Sequence, residues 1–165
     1  MQSRLAITGA IASALLAAAC GGTSPATAAA SPSPNPSLSP AASPAATGTT
    51  IAVGTSKLGQ ILVDGKGMTV YLFVVDTSTT SNCYTSCATI WPPVLTTGAA
   101  QAGAGANASL LGTTTRTDGK IEVTYAGHPL YYFVQDKAAG DTTGQGINGF
   151  GGLWWVVSPS GAAIH

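Results

Sequence analysis

Tyr71-Leu-Phe-Val-Val-Asp76 and Tyr131-Tyr-Phe-Val-Gln-Asp136 are two copies of one hexapeptide pattern, spaced 60 residues apart. The same offset also aligns identical residues in the stretch before each hexapeptide, at Gly59/Gly119, Ile61/Ile121, Val63/Val123 and Gly67/Gly127. Because the match extends well beyond the hexapeptide, it covers a whole supersecondary unit. The sequence therefore predicts two related units, about residues 51–112 and 113–165.

In the first unit the hexapeptide belongs to a predicted β-hairpin at about residues 60–75. Asp64-Gly65-Lys66-Gly67 separates two apolar runs, and glycine accepts the positive φ that a tight hairpin turn requires. Alternation along the second strand places Tyr71 and Phe73 on one face and equally apolar residues on the other. We therefore predict a central strand in a two-layer packing.

In the second unit a matching hairpin is predicted at about residues 120–134. Ile121-Glu-Val-Thr-Tyr125 alternates with period two, so its apolar side chains should point inward and those of Glu122 and Thr124 outward. The hexapeptide that follows again carries an aromatic pair, Tyr131 and Phe133. Each unit should thus present a similar apolar surface to its neighbour.

A tryptophan follows each hexapeptide, Trp91 in the first unit and Trp154 in the second. We expect both to enter one shared core, since an isolated two-stranded hairpin cannot bury two apolar faces. The predicted fold is all-β: a single small domain of two pseudo-symmetric β-hairpin repeats at residues 51–165. Its architecture should be a sandwich or resemble a barrel.

The N-terminus has the pattern of a lipoprotein signal peptide at residues 1–19. Arg4 precedes a charge-free apolar run from Leu5 to Ala19, which is shorter than the ~20 residues of a membrane-spanning helix. Small residues directly before Cys20 resemble the bacterial lipobox, in which the cysteine is lipidated and becomes the first residue. Lipidation at Cys20 predicts an extracytoplasmic protein anchored to the bacterial membrane; the alternative is an ordinary cleaved signal with a free thiol.

Residues 20–50 are predicted to form a disordered tether. Beyond Gly21 they are almost wholly Ser, Pro, Ala, Thr and Gly, a composition that cannot bury a core. Without Arg4 the chain has five basic and six acidic residues, a net charge near −1. This balance indicates no polyanionic partner, so nucleic acid is not expected.

Cys83 and Cys87 are expected to form a disulfide, because lipidation of Cys20 leaves two cysteines in an oxidising compartment. Their spacing is one residue longer than the thioredoxin-like motif, and Ala88 stands where a haem attachment site has histidine. The alternative is a copper site that uses the two thiolates with His128 or Met68.

Gly144-Gln-Gly-Ile-Asn-Gly149 matches the dinucleotide-binding pattern, but further glycines and a predicted strand follow it instead of a helix. That pattern holds a pyrophosphate through a helix N-terminus. No cofactor is therefore expected.

Asp76 and Asp136 end the two hexapeptides, where an apolar strand gives way to a polar loop. This position favours an Asx-type turn, in which the carboxylate accepts backbone N–H bonds from residues 77–79 or 137–139. The alternative is that the two carboxylates converge on a cation or a polar ligand. We expect a structural role for both.

These residues resemble the secreted-repeat family of predicted bacterial lipoproteins, recognised by a Tyr-x-[Phe/Trp/Tyr]-x-x-Asp motif. Both hexapeptides fit, and the resemblance extends over further short stretches between residues 51 and 161, including Trp91-Pro92-Pro93 and Pro129-Leu-Tyr131. It implies an envelope lipoprotein without an established activity. We expect a non-enzymatic module with a binding or structural role and an unknown envelope partner; the alternative is an extracytoplasmic redox or copper-handling protein that uses Cys83 and Cys87.

Overall fold

The computed structural model describes residues 48–165. These residues form nine short strands: β1 (Thr50–Ser56), β2 (Gly59–Asp64), β3 (Tyr71–Phe73), β4 (Gln101–Ala102), β5 (Leu111–Thr115), β6 (Ile121–Tyr125), β7 (His128–Pro129), β8 (Asn148–Gly149) and β9 (Gly152–Val156). One helical turn, α1 (Ser86–Ile90), and a 3₁₀ turn (Ala108–Leu110) complete the elements. No helix within this part of the chain is long and apolar enough to cross a membrane.

The strands form three small sheets with the orders β2-β1-β4, β3-β9-β8 and β5-β6-β7. They pack in a sandwich-like arrangement and do not close into a barrel. The all-β prediction is confirmed, and the sandwich is the correct one of the two architectures considered. The predicted signal peptide, Cys20 and nearly all of the predicted tether lie outside the described residues.

The predicted first hairpin is formed only at its tip. Asp64 N–H donates to Met68 C=O at 2.8 Å, and Val63 makes an isolated bridge with Thr69. Beyond that point the chain diverges: β2 pairs with β1, and β3 pairs with β9 from the second repeat. In the sheet order β3-β9-β8 this pairing places β3 at an edge and not at the predicted central position, although all three of its side chains are buried.

The two hexapeptides meet where they begin. Tyr71 N–H donates to Tyr131 C=O at 2.8 Å, and Tyr131 N–H donates to Tyr71 C=O at 3.0 Å. This reciprocal exchange marks the pseudo-twofold relation between the repeats. The second predicted hairpin is also short, since β6 and β7 pair over only two residues of β7 before the chain reaches Tyr131.

Strand β3 separates two hydrophobic clusters, as its alternation predicts. Tyr71 and Phe73 belong to the cluster that holds both interior tryptophans, whereas Leu72 belongs to the one that holds Val123 and Tyr125. The predicted strand runs too far, however. Because β3 ends at Phe73 and a turn follows, the side chains of Val74 and Val75 are exposed.

The predicted orientation of β6 is wrong at three positions. Glu122 and Thr124 are buried, whereas Ile121 is 38% exposed. The segment around Val94 and Leu95 covers the second edge of β6: Val123 N–H donates to Val94 C=O at 2.8 Å. Because successive side chains from Glu122 to Tyr125 are buried, both faces of β6 are covered there and strand periodicity no longer separates solvent from core.

Candidate functional site

Four aromatic rings stack through the centre of the domain in the order Phe73, Trp154, Trp91, Phe133. The successive centroid distances are 4.1, 4.1 and 4.3 Å, with interplanar angles of 7°, 3° and 27°. Each phenylalanine of a hexapeptide therefore stacks on the tryptophan of the other repeat. Aromatic pairs of this kind add about 0.5–1.5 kcal/mol beyond the burial of their area.

The tyrosines of the two motifs close this stack from the sides. Tyr71 contacts Trp91 edge-on with centroids 5.4 Å apart, and Tyr131 contacts Trp154 edge-on at 5.1 Å. Both rings are fully buried, so each hydroxyl needs a partner inside the protein. The partners are the aspartates that end the motifs.

The tyrosine of each motif bonds to the aspartate of the other. Tyr71 Oη donates to Asp136 Oδ2 at 2.6 Å, and Tyr131 Oη donates to Asp76 Oδ2 at 2.5 Å. We call this reciprocal pair the Tyr–Asp exchange. It joins residues 65 and 55 positions apart in the sequence, so the motif connects the two repeats through its polar groups as well as its rings.

The second oxygen of each carboxylate organises the loop that follows it. Asp76 Oδ1 accepts bonds from the backbone N–H and the side-chain amide of Asn82, at 2.8 and 3.0 Å. Asp136 Oδ1 accepts from the backbone N–H of Thr143 at 2.9 Å and from its hydroxyl at 2.5 Å. The predicted partners at 77–79 and 137–139 were wrong, because the loop returns to the carboxylate only six or seven residues later.

Burial shifts the acid–base equilibria of these groups. It raises the pKa of Asp76 above the ordinary aspartate value, although the bonds from Tyr131 and Asn82 oppose that rise. Burial, together with the neighbouring carboxylates, raises the pKa of the Tyr71 and Tyr131 hydroxyls far above their usual range. Both tyrosines therefore remain hydrogen-bond donors at any physiological pH.

One side of the exchange continues into a buried ion pair that the sequence analysis missed. Arg116 Nη1 lies 2.8 Å from Glu122 Oε2 and donates to Ser81 Oγ at 2.6 Å, while Nη2 donates to Cys83 C=O at 2.8 Å. Ser81 Oγ in turn lies 2.7 Å from Tyr131 Oη. Polar contacts thus run without a break from Glu122 to Asp76.

This polar chain exists in only one of the repeats. At the 60-residue offset, Ser56 stands in place of Arg116 and Leu62 in place of Glu122. The arginine and the glutamate flank the Thr117-Asp118-Gly119 turn between β5 and β6, which brings them close together. That placement is the one signal by which the sequence could have revealed the pair.

The ion pair is not fully satisfied. Glu122 Oε1 is buried without a hydrogen-bond partner in the described part of the chain, and Arg116 Nε has only Asp118 Oδ1 at 3.5 Å. Burial raises the pKa of Glu122 to about 7, against the lowering effect of Arg116. Folding therefore raises the pKa of Glu122 into the neutral range.

Cys83 and Cys87 are joined in a disulfide, as predicted, with Cα atoms 5.2 Å apart. The bridge closes the turn that leads into α1, and the carbonyl of Cys83 receives the Arg116 bond described above. Because the sulfurs are bonded to each other, they are not thiolate ligands in this state. The Nδ1 atom of His128 lies 3.3 Å from the backbone oxygen of Asp76.

Between residues 48 and 165 there is no group of three or more His, Cys, Asp or Glu side chains placed to hold a metal ion.

A surface groove of about 510 Å³ is lined by Thr49, Leu95, Thr96, Thr97, Gly119, Lys120 and Ile121. Lys120 is its one titratable lining residue, and the motif residues do not reach it. The Tyr–Asp exchange and the aromatic stack are thus internal features.

The sequence model of a family described as a secreted repeat of unknown function matches this chain twice, at residues 52–95 and 112–158. Each matched segment contains one hexapeptide and covers most of one predicted unit. No curated protein and no solved structure matches the chain.

Proposed function

The chain belongs to the family of secreted repeats of unknown function, and from this premise we propose that it is a lipid-anchored, non-enzymatic module of the cell envelope with a binding or structural role. The extracytoplasmic location is supported by the family and by the disulfide, which both fit it. The anchor and the role are the proposal.

One observation carries the non-enzymatic role: the aspartates of the two hexapeptides are used internally. Asp76 and Asp136 are 1% and 6% exposed, and each carboxylate is bonded to a tyrosine and to a loop. A carboxylate that acts on a substrate has to reach that substrate. The motif accordingly serves to hold the repeats together, and the surface that meets a partner lies outside it.

The proposed anchor follows from Cys20 and the chain around it. A charge-free run with small residues before a cysteine is the pattern on which lipidation acts, and Gly21 to Thr49 then supply a Ser/Pro/Ala-rich spacer before β1. A spacer of this composition extends up to ~3 Å per residue when prolines dominate. It would hold the domain away from the membrane surface, where envelope components are within reach.

Replacing Cys20 with Ser tests the anchor. The wild-type protein should partition into membranes and into detergent, whereas Cys20→Ser should appear in the aqueous fraction. The double variant Cys83→Ser/Cys87→Ser is the matched control, because it replaces the other two cysteines without touching the proposed lipid site and should remain in the membrane. Membrane association of Cys20→Ser at the wild-type level would reject the anchor.

A screen of isolated envelope components against the exported protein tests the role. Binding should survive Asp136→Asn if the variant remains folded, because that carboxylate is buried. Loss of binding in a folded Asp136→Asn protein would instead place the motif in the binding surface.

A further inference from the structure

Strand β5 forms the outer edge of the β5-β6-β7 sheet. It pairs with β6 over five residues, from Leu111 opposite Tyr125 to Thr115 opposite Ile121. Thr113 and Thr115 are exposed. An edge of this length presents unused main-chain groups to any strand that can align with it.

The register identifies those groups. Arg116 N–H donates to Lys120 C=O, and Ala126 N–H donates to Leu110 C=O. Since bonded and non-bonded pairs alternate along an antiparallel ladder, Gly112 and Thr114 bond to β6, whereas the N–H and C=O groups of Thr113 and Thr115 point outward. Within residues 48–165 these outward groups have no hydrogen-bond partner.

The edge is short, but it lacks three other features that commonly prevent strand pairing. Leu111-Gly-Thr-Thr-Thr115 contains no charge and no proline, and its pairing with β6 is unbroken by a bulge. Natural edge strands are usually protected by one of these devices. The chain is also nearly neutral, with six basic and six acidic residues, so two copies do not repel each other strongly.

We propose that β5 is a self-association surface, at which β5 of a second copy pairs antiparallel across a twofold axis at Thr113. In this register Thr113 lies opposite its own copy and Thr115 lies opposite Leu111, which places threonine and aliphatic side chains against each other. Uncharged cross-strand pairs of this kind are favourable, and a twofold interface uses the same patch on both subunits.

The chain's own N-terminal segment is a poorer occupant of this edge. Six prolines lie in the stretch from Pro25 to Pro44, and proline has no N–H to donate to a ladder. A second copy of β5 has no such interruption. Because the edge is short, the interface is small and the pairing is weak in dilute solution. Confining the copies to one surface raises their effective concentration and favours the pairing.

Cysteine cross-linking in the full-length exported protein tests this pairing. Thr113→Cys places the two thiols on residues about 5.5 Å apart at Cα, whereas Thr115→Cys separates them by four residue steps of about 3.4 Å each. Both positions are exposed threonines on one edge, so they are matched in accessibility. A thiol cross-linker shorter than the Thr115 separation should give several-fold more dimer from Thr113→Cys, and the wild type should give none.

Adding a charge to the edge provides the second arm. In the Thr113→Cys background, Thr115→Lys should reduce the dimer yield several-fold, whereas the exposed Thr79→Lys should leave it unchanged. Equal cross-linking at both cysteine positions, no dimer from Thr113→Cys, or insensitivity to Thr115→Lys would each overturn the proposal. Cross-linking of the thiol introduced by Thr113→Cys to another protein would assign the edge to that occupant and overturn it equally.

Discussion

Replacing Tyr131 with phenylalanine removes one hydroxyl from the Tyr–Asp exchange and leaves the ring against Trp154. The hydroxyl makes two contacts, with Asp76 Oδ2 at 2.5 Å and with Ser81 Oγ at 2.7 Å. Losing a hydrogen bond to a buried charged group costs about 1.5–3 kcal/mol. For a domain of this size that loss should lower the melting temperature by roughly 5–15 °C.

A double-mutant cycle shows whether the bond connects the two repeats. We expect Tyr131→Phe and Asp76→Asn to be non-additive by about 1 kcal/mol or more, measured by thermal or denaturant unfolding. The matched cycle pairs Tyr131→Phe with Asp136→Asn, the aspartate of the same hexapeptide, and should be additive within about 0.5 kcal/mol. Coupling to Asp136 in place of Asp76 would refute the exchange.

Three further predictions concern the interior. Folding raises the pKa of Glu122 from 4.5 to about 7, so between these pH values the native state binds a proton that the unfolded chain releases. The free energy of unfolding of the wild type should therefore fall as the pH rises from about 4.5 to 7. Glu122→Gln should lack the part of this decrease that Glu122 causes. Cys83→Ser/Cys87→Ser should lose about 2 kcal/mol, and adding reductant should destabilise the wild type but not the variant. Trp154→Ala should cost about 3–5 kcal/mol, whereas Phe150→Ala, at an exposed ring, should cost about 0.5 kcal/mol or less.

The repeat architecture and the core could be predicted because they depend on spacing. The 60-residue offset locates both units, and alternation around Tyr71 and Leu72 shows that β3 is buried on both faces. The predicted hairpins were too long, because spacing and turns do not show which strands pair across the domain. Local turn chemistry identifies where a chain reverses, but it does not reveal that β3 will pair with β9, about 80 residues later.

The polar interior could not be predicted from local rules. Asp76 was expected to bond to the residues just after it, whereas its partners are Asn82 and the tyrosine of the other repeat. Glu122 was expected to face solvent, because a charged side chain that alternates with apolar ones is assigned to the exposed face unless its counterion is known. Arg116 supplies that counterion across a turn, and no periodicity encodes the contact.

The most direct test of the account is whether either repeat folds without the other. Residues 48–110 and 111–165 should each lack the near-ultraviolet circular dichroism of packed aromatic rings, because each motif stacks and hydrogen-bonds on residues of the other repeat. Mixing the two fragments should restore that signal in part. A cooperative unfolding transition in either isolated repeat, with its own tyrosine and tryptophan signal, would contradict the interlocked domain.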